Sequence, residues 1–277
     1  MKVDLPTGWA PEWPVSGVGA WMSHRLGGCS AHPFDSLNLG AAVGDDPQAV
    51  GLNRQRFQHA LGGAVPVFLK QVHGARVLTL NAGDAAAEGH LESIHEADAA
   101  VTSDQGVACV IQVADCLPVL FAGPQGRAVG AAHAGWRGLA LGVLEATLEQ
   151  VCELACCQAA EIDAWLGPCI GPRWFEVGNE VLEALSPMES AFMRPDLEWP
   201  PDNSWGHLPQ GFKPGIKPGK YGADLPALAR ARLVRAGLEP ARVYGGQWCT
   251  YEDRSRFFSF RRDGITGRLA AAIWRAL

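Results

Sequence analysis

A chain of 277 residues that is 48% hydrophobic can bury a large core, and a formal charge of −6 argues against a broad nucleic-acid-binding face, which needs Lys and Arg clustered on one side. The N-terminus lacks the apolar segment of a secretory leader, and the most apolar window, 107–123, is too short for a bilayer and is broken by Gln112, Asp115 and Pro118. The expected setting is therefore cytoplasmic, with no membrane partner and with the eight cysteines mostly reduced.

Residues 17–25 alternate like a strand and run into the loop Gly27-Gly28-Cys29-Ser30-Ala31-His32-Pro33. Asp46-Pro47 opens a helix to about Leu61, with Val50, Leu52, Phe57 and Leu61 as its apolar face and Asn53 and Arg54 riding on it. Segments 65–73, 76–80, 99–103, 107–114, 118–122 and 127–133 read as successive strands rich in Val, Ile and Leu. Segment 138–157 has the longest helical period, with Val143, Leu144, Leu148, Val151 and Ala155 on one stripe. A short strand, 162–166, leads into Gly167-Pro168-Cys169-Ile170-Gly171-Pro172, and 177–185 reads as a helix. Another helix begins at Asp224-Leu225-Pro226 and ends near Gly237. Strands at 243–249 and 257–262 precede an apolar C-terminal segment.

Between Met193 and Tyr221 the prolines 195, 200, 201, 209, 214 and 218 exclude regular helix and central strand. This stretch reads as an insertion loop, 193–221, in a single domain spanning 1–277. Strands in a block with helices before and after favour an α+β sandwich over alternating βαβ units.

Three residues at the ends of apolar runs carry most of the chemistry: His73, Cys116 and His133. Each sits where the chain turns to Gly or Pro. Two imidazoles and a thiolate make a zinc site that keeps one coordination position open. Any one of them alone reads as a core residue. Copper also accepts imidazole and thiolate, but none of the four methionines lies near these motifs, which favours zinc.

Around that trio, Arg137, at the start of the long helix, is the first candidate for holding a small anion; a surface salt bridge is the competing role. Arg54 and Asn53 are similar candidates. Arg261 and Arg262 follow an aromatic strand, where alternation would aim one at the pocket and the other at solvent. Gln71, placed on the same strand face as His73, suits a hydrogen bond to a bound molecule or a metal-bound water, or a structural one. Asp115 reads either as the group orienting a histidine or as a loop cap. Cys152, Cys156 and Cys157 read as core packing on the long helix, and Cys169 and Cys249 have no assigned chemistry.

In this order, Gln71-Val72-His73-Gly74, Ala97-Asp98-Ala99-Ala100-Val101-Thr102, Ala114-Asp115-Cys116-Leu117-Pro118, His133-Ala134-Gly135-Trp136-Arg137-Gly138, Gly167-Pro168-Cys169-Ile170-Gly171-Pro172 and Phe258-Ser259-Phe260-Arg261-Arg262-Asp263 resemble the YfiH, or DUF152, family. That family is also called polyphenol oxidase or laccase-like, and the resemblance runs from about Arg25 to the C-terminus. It implies a four-layer αββα sandwich, related in fold to the cytotoxic necrotizing factor-type cysteine hydrolases. It further implies zinc held by the equivalents of His73, Cys116 and His133, with purine nucleosides and phosphate as partners. The implied reactions are phosphorolysis of adenosine, inosine, guanosine and methylthioadenosine, and adenosine deamination; an older assignment is copper-dependent phenol oxidation.

Two places depart from the family pattern: Ser23-His24-Arg25 replaces a usual Thr-Thr-Arg, and 193–221 is longer than the usual connection. The residues themselves suit the implied chemistry. Zinc with an open position activates water for deamination, whereas phosphorolysis passes through an oxocarbenium-like state and needs cationic donors for phosphate. Three alternatives remain at this level: an amidase with Cys116 as nucleophile and His133 as base, a copper-dependent oxidase, and a non-catalytic zinc-stabilised binding module. A multicopper centre is hard to build from eight histidines.

Overall fold

The apolar runs without strict alternation become strands covered on both faces, which is why they read as continuous hydrophobic segments. In the computed structural model, which describes residues 7–87, 95–185 and 210–276, the chain forms β1 (Gly8–Trp9), β2 (Val18–Ser23), α1 (Pro47–Ala60), β3 (Val65–Val67), β4 (Val77–Thr79) and α2 (Ala82–Ala87). The central strands follow: β5 (Ala99–Thr102), β6 (Val107–Val113), β7 (Leu117–Ala122) and β8 (Val129–Ala134). Next come α3 (Trp136–Ala140), α4 (Val143–Ala155), β9 (Asp163–Leu166), β10 (Glu176–Val177) and α5 (Asn179–Leu185). The last elements are β11 (Phe212–Pro214), β12 (Tyr221–Ala223), α6 (Leu225–Arg235), β13 (Val243–Gly245), α7 (Phe260–Asp263) and β14 (Leu269–Arg275).

Two mixed sheets stack face to face. One has the order β1-β2-β14-β6-β3, the other β13-β9-β7-β8-β5-β4, and a small third sheet has the order β10-β12-β11. Alternation along each strand sorts its side chains between layers. Cys109, Ile111 and Val113 of β6, Ala271 and Ile273 of β14, Leu120 of β7 and Ala131 of β8 fill the space between the two large sheets. Ala108, Val110, Ala270 and Ala272 face the other way, onto Phe57 and Leu61 of the α1 segment. Val119, Phe121 and Ala132 pack under Leu144, Leu148 and Val151 of α4, with α6 beside it. The sequence is therefore helix, sheet, sheet, helix, the expected αββα sandwich. Among the described residues no helix is long and apolar enough to cross a membrane.

Several local expectations change. The 65–73 strand ends at Val67, because the backbone N–H groups of residues 72–74 turn to a side-chain carboxylate instead of a ladder. The 138–157 helix is two helices, broken at Gly142, which sits at φ 87. The 257–262 strand is absent: Ser259 accepts the Arg262 N–H and caps the short α7. The unassigned apolar tail is β14, central in its sheet between β2 and β6. The 243–249 strand stops at Gly245, at φ 73, and the helix expected from 177 starts at Asn179 after β10. Of the Pro-rich insertion, 193–209 lies outside the described residues. Its remainder is not loop alone: β11 pairs antiparallel with β12, and Pro214 ends β11 at the sheet edge, where a missing N–H does no harm.

Candidate active site

Strand register brings the first two donors together. In the antiparallel pair β7–β8, Leu117 lies opposite Ala134 and Pro118 opposite His133, so Cys116, just before β7, emerges beside His133. His133 shares its face with Val129 and Ala131 and thus points into the layer between the sheets. On the other side β8 pairs with β5, Ala99 opposite Ala132, and the His133 N–H donates to the Asp98 carbonyl at 2.7 Å. Asp98 is thereby fixed next to His133, wholly buried.

The Asp98 carboxylate organises the rest. Oδ1 accepts from His133 Nδ1 at 2.8 Å and from the His73 N–H at 2.8 Å, and Oδ2 accepts from Gly74 N at 2.7 Å and Val72 N at 3.1 Å. Three successive backbone donors on one carboxylate wrap the chain around it and hold His73 at φ 61, a left-handed conformation that few side chains adopt. The same carboxylate places the proton of His133 on Nδ1 and leaves Nε2 for the cleft. His73 and His133 meet edge to face with ring centroids 4.8 Å apart. Gly135 lets them close up: a Cβ there would lie 3.0 Å from Cys116 Sγ and 3.1 Å from His73 Cδ2.

Burial alone would raise the Cys116 thiol, but the His133 charge and hydrogen bonds from both imidazoles outweigh it and bring it down to about 6. His133 moves the opposite way: burial lowers it, while the Cys116 charge and the Asp98 hydrogen bond lift it to about 9. Burial likewise works to raise Asp98, and its hydrogen bonds from His133, Gly74 and Val72 hold it below the ordinary carboxylate value. In the metal-free protein the set is a thiolate–imidazolium pair braced by a carboxylate.

The donor atoms of His73, Cys116 and His133 lie within 4.8 Å of one another, with Cys116 Sγ 3.9 Å from His73 Nε2. Zinc bonds of about 2.3 Å to sulfur and 2.0–2.1 Å to nitrogen place donors about 3.5 Å apart, so small inward movements close these three around an ion with one position free. One thiolate and two imidazoles fit such an ion chemically. Among the described residues no other three His, Cys, Asp or Glu side chains converge this way.

The trio forms part of a cleft of about 500 Å³ whose wall includes Gln71, Gln112, Phe175, Phe260, Arg261 and Arg268. Of the other residues proposed from sequence, Arg261 reaches it; its Nη1 donates to the carbonyls of Trp174 at 3.3 Å and Glu176 at 3.2 Å. Gln71 is also on the wall, but its amide is held at both ends by the Gln112 backbone, at 2.9 and 2.7 Å, which makes its bonding structural. Asn53, Arg54 and Arg137 do not line the cleft. Asn53 is buried, accepting from Cys29 N and donating to Ser30, Ser36 and Asn38. Arg54 donates to the Leu39 carbonyl and lies over the Phe68 ring, and the exposed Arg137 lies over Trp136. Arg262 does not face solvent as alternation would have it: its guanidinium folds inward onto the carbonyls of Thr250, Tyr251 and Phe257.

Asp115 turns out to brace the loop and does not orient a histidine. At φ 103 it accepts the Thr250 hydroxyl at 2.6 Å and the Arg261 N–H at 2.7 Å, which ties α7 to the strand that carries Cys116. The departure at Ser23-His24 is structural too: Ser23 Oγ accepts from Ala270 N, and the His24 ring packs against Trp9 and Phe257.

Sequence reasoning missed Asp98 and Arg268. Asp98 left one trace, an acid directly before the buried strand Ala99-Ala100-Val101-Thr102. Arg268 stands at the head of the apolar C-terminal segment, with Nη1 donating to the carbonyls of Thr266 at 3.1 Å and Gly267 at 3.2 Å. Burial lowers its pKa while the negative Cys116 and Asp115 oppose that.

The family described as multi-copper polyphenol oxidoreductase laccase matches residues 19–276. The purine nucleoside phosphorylase YfiH of Escherichia coli is 45% identical over 267 residues, 95% of this chain and 97% of that protein. A purine nucleoside phosphorylase of Pseudomonas aeruginosa is 43% identical, over 95% of this chain and 96% of its own. Among solved structures, a Neisseria meningitidis protein of the DUF152 family superposes with a TM-score of 0.82 at 41% identity, covering 98% of this chain and 99% of that one. YlmD from Geobacillus stearothermophilus gives a TM-score of 0.84 at 32% identity, covering 99% of this chain and 100% of its own.

Proposed function

The chain belongs to the multi-copper polyphenol oxidoreductase laccase family, to which the DUF152 structures correspond, and from that premise we propose that it is a cytoplasmic purine nucleoside phosphorylase with zinc on His73, Cys116 and His133. Adenosine deamination and methylthioadenosine phosphorolysis belong to the same proposal. The observation that carries it is the meeting of these three donors in a cleft walled by two arginines. The names of the similar bacterial enzymes point the same way. The cleft, at about 500 Å³, is within the range of about 300–1,000 Å³ usual for small-molecule sites.

Zinc on this set would supply Lewis acidity toward water or a substrate oxygen. The chain's own residues do the rest. Arg268 and Arg261 offer cationic donors to phosphate, whose oxygen bonds to the ribose C1′ as the glycosidic C–N bond breaks and the base leaves with the electron pair. Asp98 keeps His133 oriented and its Nε2 directed to the cleft. Phe175 and Phe260 provide apolar wall for a purine ring.

Incubating the purified protein with adenosine and phosphate should give adenine, ribose 1-phosphate and inosine, and Cys116→Ala should give none. Absence of all three products with the wild type would refute the proposal. A second reading has one observation in its favour, the relay Cys116–His133–Asp98, which is the arrangement of a cysteine nucleophile with its base and orienting acid. That amidase reading requires turnover that survives metal removal and labelling of Cys116 by an electrophilic substrate analogue. For phenol oxidation by several coppers, the single three-donor cluster among the described residues offers too few ligands.

A further inference from the structure

Asn53 and Arg54 do not reach the cleft, but they hold a segment that does. From α1, Asn53 Nδ2 donates to the Asn38 carbonyl at 2.9 Å and Arg54 Nε to the Leu39 carbonyl at 3.1 Å. Gln112 Nε2, on β6, reaches the same Leu39 carbonyl at 2.6 Å. Asn38 is wholly buried, and its amide uses both its acceptor and its donor capacity in full. Oδ1 accepts from Gly40 N at 2.9 Å and Arg268 N at 2.8 Å, while Nδ2 donates to the Gly40 carbonyl at 3.1 Å and to Asp45 Oδ2 at 2.8 Å. Leu39 N in turn donates to the Arg268 carbonyl at 3.1 Å, so both backbone groups of residue 268 are bonded to this segment. Gly40 packs against the Arg268 stem: a Cβ there would meet Cγ at 2.7 Å and Cβ at 3.1 Å. Gly40, Ala42, Val43 and Arg268 all line the cleft. Among the described residues the guanidinium donates only through Nη1, to the carbonyls of Thr266 and Gly267, so Nε and Nη2 keep N–H bonds for a ligand.

We infer that Asn38 and Gly40 are positioning residues that aim the Arg268 guanidinium into the cleft to take an oxyanion, inorganic phosphate. The identity of that anion rests on the phosphorylase reading. A long arginine stem ordinarily loses rotamer freedom when its head binds, which weakens the complex. Here that freedom is removed beforehand. The Oδ1 half of Asn38 fixes the backbone of residue 268, and the Nδ2 half fixes the turn from Gly40 to Asp45 that walls the stem. Releasing the turn gives the stem room to swing and should weaken phosphate while the zinc donors, which lie on other segments, stay in place.

Two substitutions separate position from folding. Gly40 lies at φ −85 and ψ 117, which any residue adopts, so Gly40→Ala only adds a methyl against Arg268 and Val43. Asn38→Asp keeps Oδ1 but turns its second atom into an acceptor facing the Gly40 carbonyl and the Asp45 carboxylate, and adding Asp45→Asn restores the 38–45 bond with its donor reversed. The zinc-loaded protein is titrated with inorganic phosphate and followed by nitrogen-15 NMR of the Arg268 Nε–H, assigned by its loss in Arg268→Lys. Affinity should fall about tenfold in Gly40→Ala and in Asn38→Asp, and return to within about threefold of wild type in the double variant. In turnover with adenosine the phosphate KM should rise by the same factor with kcat held; a fall in kcat at unchanged KM is loss of folded enzyme and overturns the inference. So does equal phosphate affinity in wild type and Gly40→Ala, or an Arg268 signal in wild type that ignores phosphate. Melting curves report folding, and if Asn38→Asp unfolds, Gly40→Ala decides. The phosphorylase reading is judged separately, by whether wild type forms adenine and ribose 1-phosphate; without turnover the NMR affinities decide alone.

Discussion

Replacing Asp98 by Asn isolates the step from buried carboxylate to metal donor. Asp98 accepts four hydrogen bonds, two on each oxygen. Asn keeps one oxygen and turns the other into a donor. If the amide nitrogen faces Val72 and Gly74, two part-buried N–H groups lose their acceptor, at up to about 1–3 kcal/mol each, or up to about 2–6 kcal/mol together. If it faces His73 and His133, only the His73 N–H is orphaned, because the imidazole can shift its proton and accept through Nδ1. That cheaper arrangement, about 1–3 kcal/mol, puts the His133 proton on Nε2, the atom meant for metal. Asp98→Asn should therefore stay folded, lose roughly 2–4 °C of melting temperature per kcal/mol, and bind zinc about 10- to 100-fold more weakly. Competition against a zinc chelator gives the affinity, and nitrogen-15 NMR of the imidazoles gives the tautomer. Wild-type zinc affinity with His133 still protonated on Nδ1 would refute the reasoning.

Three further outcomes follow from the same geometry. In metal-free protein, alkylation of Cys116 should rise through a midpoint near its pKa of about 6, since the thiolate is the reactive form, while Cys152, pushed up to about 11, stays slow at neutral pH. Zinc should suppress the Cys116 reaction, and a midpoint above 8 for Cys116 would contradict the thiolate–imidazolium pair. Gly135→Ala, whose Cβ would sit 3.0 Å from Cys116 Sγ, should spread the donors and weaken zinc binding about tenfold with the fold retained; unchanged affinity by chelator competition counts against the convergence. Arg268→Gln should raise the KM for phosphate by about 10- to 150-fold, the loss of about 1.5–3 kcal/mol of charge-assisted bonding, with the nucleoside KM within about twofold. Arg137→Gln, off the cleft, should leave both constants within about twofold, and steady-state kinetics would expose the reverse pattern.

The strands most legible in the sequence were those whose residues are buried on both faces, such as β6 and β7, because runs rich in Val, Ile and Leu leave little else to form. The tail Leu269-Ala270-Ala271-Ala272-Ile273 is equally buried, yet its alanines favour helix, and only pairing with β2 and β6 makes it a strand. Phe257 to Phe260 has strand-like composition, but a single Ser259 cap sends the chain into α7. The three donors stood out because each ends an apolar run at Gly or Pro. Asp98 did not, since its bonds to residues 72–74 span a gap of roughly two dozen residues that no local rule sees.

Register explains why the donors meet at all. Side chains on a strand have period two, so a slip of one residue in β8 would carry His133 to the face of Ala132 and Ala134, under α4 and away from Cys116. A backbone bond from outside the β7–β8 ladder resists that slip: His133 N donates to the Asp98 carbonyl at 2.7 Å. The same contact delivers the Asp98 side chain to Nδ1, so it sets both which way His133 faces and which nitrogen it offers. Fold and chemistry share the same peptide groups here, and a substitution that loosens β5 against β8 should cost metal affinity before it costs the fold.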